Sequence, residues 1–382
     1  TVDAYGAVSR YTYDRAGDLV QIINPLGAET TYDYDLVHNR TRTTDPNGHT
    51  STVAYDRLSR PIAYTDALGH VTRFAYDRIG NTTAITDANG NVSTFVYDAN
   101  AQLTRSTDAL GAQVSYRYDE EGNQRSRIDA NGHTTSNVYD LRGDVTSVTD
   151  ALGNISRLTY DANGNPLSIT NANGHVTRYE YGTGDLLVRA LDPLQHPIVY
   201  EYDLLGRLIR DSDANGKSTI YEYDALDRIV GVVDAKGQAT RYTYDAVGNL
   251  TSLTDANRST TRFAYNALNL VIQETNALGK IWRYSYDGVG NLVQKLDGRN
   301  QAIRYDYNGV DQLIRKSFPD GKAVTYQYDP NGNRLQMADW NGVTTRSYDA
   351  VDQPTTVTDH KGRQVAYTYD PNGNRVGMRY PD

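Results

Sequence analysis

Tyr76-Asp77-Arg78-Ile79-Gly80-Asn81-Thr82-Thr83-Ala84-Ile85-Thr86-Asp87-Ala88-Asn89-Gly90-Asn91-Val92-Ser93-Thr94-Phe95-Val96-Tyr97 returns to its starting residue type after 21 positions. It contains two turn signals. The first is Tyr76-Asp77-Arg78-Ile79-Gly80-Asn81, the second Asp87-Ala88-Asn89-Gly90. In each, Asp caps the turn through its side chain and Gly or Asn supplies a positive φ. The segments between them are rich in Thr, Val, Ile and aromatic residues and too short for helices, so they read as strands. In Val71-Thr72-Arg73-Phe74-Ala75-Tyr76, alternation sets Thr72, Phe74 and Tyr76 on one face and Val71, Arg73 and Ala75 on the other. The partner strand, as in Leu250-Thr251-Ser252-Leu253-Thr254, alternates less cleanly, and its faces stay unassigned.

The same unit recurs along the whole chain. Tyr stands at 13, 34, 55, 76, 97, 118, 139, 160, 181, 202, 223, 244, 265, 286, 307 and 328, then at 348 after a step of 20 and at 369. The following residue is Asp in fifteen of these eighteen units, with Gly182, Asn266 and Asn308 in the others. An aromatic precedes the Tyr by two positions in fourteen units; Val53 and Leu158 keep that position apolar, and Asn137 and Arg346 break it. The second turn is equally regular, as in Asp87 with Gly90, Asp129 with Gly132 and Asp213 with Gly216. Each unit therefore reads as a hairpin, and residues 1–382 as a single all-β array of about 18 repeats and about 36 strands. Successive hairpins pair into a continuous antiparallel ribbon, which strand twist makes coil. Rows of Tyr form cross-strand ladders, and stability sums over neighbouring repeats.

Composition narrows the function. The 382 residues carry a net charge of −9, with 32 Tyr against 4 Phe, 2 Trp and 2 Met, and no Cys. Without a concentrated basic face, nucleic acid is not an expected partner. Disulfides and Cys-ligated metals are excluded, and no stretch approaches the ~18 apolar residues of a membrane span. Irregularities are local. Tyr181-Gly182-Thr183-Gly184 and Phe318-Pro319-Asp320-Gly321 are variant turns, Gln195, Arg258 and Asn300 replace the second-turn Gly, and the unit ending at Tyr348 is one residue short. Asp3-Ala4-Tyr5-Gly6 reads as a second turn without its upstream Tyr, and Tyr380-Pro381-Asp382 as a turn cut short. The chain is thus expected to be a slice of a longer one.

The Tyr-Asp dipeptides followed by Gly-Asn, with the Asp-Ala-x-Gly turns, resemble the YD repeats of RHS-repeat proteins. That family includes the C components of Tc insecticidal toxin complexes, bacterial wall-associated toxins and animal teneurins. The resemblance implies a β-ribbon that spirals as part of a hollow shell. In bacterial members the shell encloses a C-terminal toxin domain exported by a secretion system or from the cell surface. Asp329-Pro330-Asn331-Gly332 and Asp370-Pro371-Asn372-Gly373 share part of the wording of the family's self-cleaving plug, but here each is the first turn of a repeat.

His49, His70, His133, His175 and His196 follow the second-turn Gly position, where an imidazole ladder for a transition metal competes with a tolerant, exposed turn site. The Asp rows lack EF-hand spacing and read as turn caps rather than Ca²⁺ ligands. Arg10, Arg73, Arg157, Arg178, Arg241, Arg262, Arg283 and Arg304 form a row that meets cargo, pairs with acids or faces solvent. No carboxylate pair stands out for glycoside hydrolysis. The expectation is a non-catalytic structural shell segment of a secreted or cell-surface protein, without catalytic, cofactor or metal residues. Its partner is a toxin cargo on the same polypeptide, with a secretion apparatus or cell-surface carbohydrate as further candidates. The competing expectation is a surface adhesion module that binds carbohydrate or protein.

Overall fold

The computed structural model describes residues 1–2 and 8–381. The turn read at Asp3-Ala4-Tyr5-Gly6 lies outside them. Thirty-six strands alternate with tight turns, from β1 (Arg10–Tyr13) to β36 (Arg375–Arg379). Two compact units are distinguished, one of Thr1–Gln113 with Phe263–Asp382 and one of Val114–Arg262.

Within the first unit, β7 (Val71–Tyr76), β8 (Thr82–Thr86) and β9 (Val92–Tyr97) show the pattern. β7 pairs antiparallel with β8, with Arg73 opposite Thr86, Phe74 opposite Ile85 and Ala75 opposite Ala84; β8 then pairs with β9. Alternation along β7 is as the sequence implies: Thr72, Phe74 and Tyr76 are half-buried, whereas Arg73 and Ala75 are exposed. The register shifts before the Tyr, so that Tyr76 faces Thr82 and Thr83 is an extra, bulged residue.

The second unit repeats this arrangement. β23 (Ala239–Tyr244) pairs with β24 (Leu250–Thr254), Tyr242 lying opposite Leu253 and Tyr244 opposite Leu250. This assigns the face that alternation left open. Residues directly opposite share a face, so Leu250 and Leu253 both lie with the tyrosines although they are three positions apart. The bulge between them resets the alternation.

The sheet is a single layer, so apolar side chains pack mainly against their cross-strand neighbours. Leu191 and Val324, at 9% exposure, are the only hydrophobic residues counted as buried among those described. The variant units keep the path. Gln195, Arg258 and Asn300 take φ values of +67°, +64° and +60° in place of Gly. Thr183–Asp185 tightens into a short 3₁₀ turn. The unit ending at Tyr348 loses its residue at Trp340-Asn341, which joins β32 (Arg334–Asp339) to β33 (Gly342–Tyr348) as a two-residue hairpin.

Candidate functional site

The repeated Tyr ends a strand, and its hydroxyl reaches across the neighbouring strand. Tyr160 donates to the carbonyl of Val145 at 2.8 Å, and Val145 is the residue opposite Tyr139 at the previous bulge. The same bond, 14 or 15 residues back, is made by Tyr34, Tyr55, Tyr76, Tyr139, Tyr202, Tyr223, Tyr244, Tyr286, Tyr307, Tyr328, Tyr348 and Tyr369. A bulge interrupts the ladder, and the phenol satisfies the carbonyl exposed there. Phe could fill the space but not make the bond, which accounts for the absence of Phe from this position in eighteen units, whereas Phe74, Phe95 and Phe263 occur two residues earlier. Tyr13, Tyr97 and Tyr118 face their partner strands at the same place in the repeat.

The turns are closed from within. In the first turn, Asp77 Oδ1 accepts from the backbone N–H of Ile79, Gly80 and Asn81, while Asn81 Nδ2 donates to Asp77 Oδ2. In the second, Asp87, Asp129 and Asp213 accept from the N–H of Asn91, His133 and Lys217 at 2.8–2.9 Å. Gly90, Gly132 and Gly216 follow at φ of +88°, +84° and +74°. These bonds favour the charged carboxylate. The Asn39 and Asn165 side chains, with backbone amides, hold Asp35 and Asp161 below the usual carboxylate range, and Arg363 takes Asp359 down to about 2.

Where Arg replaces the Asn of the first turn, it ties two repeats together. Arg60 donates from Nε to Asp56 and from Nη1 to the carbonyl of Asp77, with its guanidinium 4.7 Å from the centre of the Tyr76 ring. Arg207 and Arg228 do the same over Tyr223 and Tyr244.

Inside the first unit a second type of contact joins residues 240 to 244 apart. The second-turn edge of Thr1–Gln113 lies against the first-turn edge of Phe263–Asp382. Asn47 Nδ2 donates to Asp287 at 3.3 Å, Asn89 to Asp329 at 3.2 Å, and Asn331 to Asp87 at 2.9 Å. Gly288 and Gly309 make room for it. A Cβ on Gly288 would stand 2.9 Å from Pro46 Cβ, and one on Gly309 would stand 3.3 Å from the His49 ring. Neither glycine has a positive φ, so the turn does not require them; the close approach does. The sequence holds the signal, since Gly occupies the second residue after Tyr in these two units alone. No local pattern explains it, because the partner edge is 240 residues away.

His49, His70, His133 and His196 point Nδ1 at the Asp of their own turn, at 2.9–3.4 Å. Among the described residues no three His, Cys, Asp or Glu groups come together to hold a metal ion. The Arg row is exposed on the face away from the repeat Tyr, as at Arg73, Arg157, Arg178 and Arg304, and Arg241 pairs with Glu222. On the tyrosine face, Tyr284 donates to Glu274 at 2.9 Å, and its phenol is pushed up to about 12, by burial first and by Glu274 second. No helix among the described residues is long and apolar enough to cross a membrane.

The fold is that of solved Tc toxin structures. The chain superposes on a Tc holotoxin pore of Photorhabdus luminescens with a TM-score of 0.79 at 17% identity, covering 97% of this chain and 25% of that one. For the crystal structure of TcdB2-TccC3-TEV the values are 0.78, 18%, 98% and 24%. For TcdB2-TccC3 without its hypervariable C-terminal region they are 0.77, 17%, 99% and 25%. This chain thus spans about a quarter of those chains, and at such identities the likeness is one of fold. No curated protein sequence matches it. The Teneurin YD-shell family matches residues 213–335. The RHS Repeat family matches residues 13–50, 55–92, 76–103, 97–134, 139–174, 160–196 and 348–382, together more than half of the sequence. With that family's model matching more than half of its length, the chain belongs to the RHS-repeat family.

Proposed function

We propose that residues 1–382 are a single, non-catalytic wall segment of a secreted or cell-surface bacterial toxin, and that the wall encloses a toxin domain C-terminal to it on the same polypeptide. The observation that carries this reading is the edge contact at Asn47–Asp287 and Asn89–Asp329. A ribbon whose turn edges pack side by side leaves no gap between passes, as a barrier to macromolecules requires. The fold shared with TccC3-containing structures supports it, as does the hypervariable C-terminal region named for one of them.

The residues that do the work are structural. They are the repeat Tyr, from Tyr13 and Tyr34 through Tyr286 and Tyr328, and the second-turn pairs Asp87 and Gly90, Asp129 and Gly132, and Asp213 and Gly216. They isolate the cargo by holding strands and edges in register.

The test is protease protection of a cargo domain carried C-terminal to Asp382 in the native polypeptide. The reading requires the cargo to remain intact while exposed turns are nicked, and to become sensitive when several repeat tyrosines are replaced. Digestion at the rate of the free domain would end it.

A further inference from the structure

One position of the second turn alternates without a break over ten repeats. Its third residue is in turn Leu26, Asn47, Leu68, Asn89, Leu110, Asn131, Leu152, Asn173, Leu194 and Asn215. Nothing inside a single hairpin requires a residue type to return only in every second unit. An apolar side chain and an amide in alternation along the turn tips describe a surface read from outside the hairpin.

The edge contact inside the first unit shows what reads it. Asn47 and Asn89 donate to the turn caps Asp287 and Asp329 at 3.3 and 3.2 Å. Between them, the turn of Leu68 faces that of Gly309, whose added Cβ would stand 3.5 Å from Ala67 Cβ. Continued in both directions, this register sets Leu26 opposite Asn266-Ala267-Leu268, Leu68 opposite Asn308-Gly309-Val310, and Leu110 opposite Asp349-Ala350-Val351. Both asparagines thus meet a carboxylate, and all three leucines meet a turn whose third residue is Leu or Val. Asn266 and Asn308 are the two caps of Phe263–Asp382 that are not Asp, and both stand opposite a leucine. A leucine cannot donate to a carboxylate and would strip it of water. Leu268, Val310 and Val351 are half-buried, whereas Val37, Leu58 and Ile79, at the same place in Thr1–Gln113, are 65–68% exposed.

The alternation continues through the second unit, where Leu152 and Leu194 are 87% and 76% exposed, against 55%, 46% and 57% for Leu26, Leu68 and Leu110 in the occupied edge. The residues before them and before Asn173 and Asn215 are Ala151, Pro193, Ala172 and Ala214, as small as Pro46 and Ala67 where the two edges come closest.

We propose that this alternation is the code by which one pass of ribbon recognises the next, and that the second-turn edge from Leu152 to Asn215 is a docking surface for the repeats that follow Asp382 in the polypeptide. The proposal rests on the wall reading above and specifies its seam. Of the next four Tyr-Asp-type turns, the first and third present Leu or Val to Leu152 and Leu194, and the second and fourth present Asp caps to Asn173 and Asn215.

The test is hydrogen exchange, read by segment, in the native polypeptide with its following repeats. Asn173→Leu with Asn215→Leu leaves the turns themselves intact, because Leu152 and Leu194 hold the same position. It should speed exchange in the four following repeats about fivefold, the equivalent of one net hydrogen bond. Unchanged rates there, or following turns without the Leu/Val and Asp alternation, would overturn the docking surface. The code itself is tested where both partners are known. Asn89→Leu and Asn331→Val should each speed exchange in the turns at 87–91 and 329–333. Together they recreate the pairing of Leu68 with Val310, so the double variant should lose less than the two single losses combined. Additive losses would overturn the code. Protease protection of the cargo is read separately, so failure here with the cargo still protected overturns the code and not the enclosing wall.

Discussion

Replacing Tyr160 by Phe removes one oxygen and keeps the ring. The lost bond is the 2.8 Å donation to the Val145 carbonyl, at the bulge where Tyr139 faces Val145 and the ladder is interrupted. A net intramolecular hydrogen bond contributes about 1 kcal/mol, and an acceptor left without its donor costs somewhat more. Tyr160 is half-buried, which lets water recover part of the loss, so the expected change is about 1 kcal/mol. Tyr160→Ala also removes the ring and should cost about 3 kcal/mol, the low end for a large aromatic. In a repeat array a global midpoint averages over units, so the assay is native-state hydrogen exchange read by segment. Exchange in the 139–181 repeats should speed up about fivefold in Tyr160→Phe, while distant repeats hold their rates. Tyr242 is the internal control, because it is the ring two positions before Tyr244 and no hydrogen bond from its hydroxyl is seen; Tyr242→Phe should be silent. Equal behaviour of Tyr160→Phe and Tyr242→Phe would refute the claim that the hydroxyl is what the repeat requires.

Gly288→Ala should loosen the edge contact by about 1–3 kcal/mol through overpacking against Pro46. Faster exchange at residues 45–90 and 287–311 would register it; an unchanged pattern would show that the edge yields freely. Gln195→Gly should stabilise by about 1 kcal/mol, since Gln195 holds φ +67°, and a denaturation midpoint that falls instead would count against that reasoning. Acid sensitivity follows from the turn caps. Asp359 is lowered from 3.8 to about 2, chiefly by its hydrogen bond from Arg363. A depressed carboxylate pKa contributes stability that is full above the unfolded value and is lost as pH falls through the folded one. The midpoint should therefore hold from pH 7 to about pH 4 and decline toward pH 2; a decline that begins near pH 6 would count against the turn carboxylates as its cause.

Periodicity carried most of the fold. A 21-residue return of Tyr with two Asp-capped turns leaves room for two short strands, and those strands are present from Arg10 to Arg379. The face of Leu250–Thr254 was not legible, because a bulge at Thr251 breaks period-two alternation and a bulge has no composition of its own. The reason for Tyr over Phe was visible as a preference and became chemical once the carbonyl 15 residues back was located. The edge contact at Gly288 and Gly309 depends on a register of 240 residues, which no local pattern encodes. The histidines after the second turn were open to two readings, and their pairing with the Asp of their own turn depends on side-chain direction.

Electron cryo-microscopy of the native polypeptide, with a domain carried C-terminal to Asp382, tests the proposed enclosing role most directly. The account predicts polypeptide density bounded on all sides by the repeat ribbon, and its loss when cargo is deleted. A ribbon that bounds only solvent, with the cargo resolved outside it, would contradict the account.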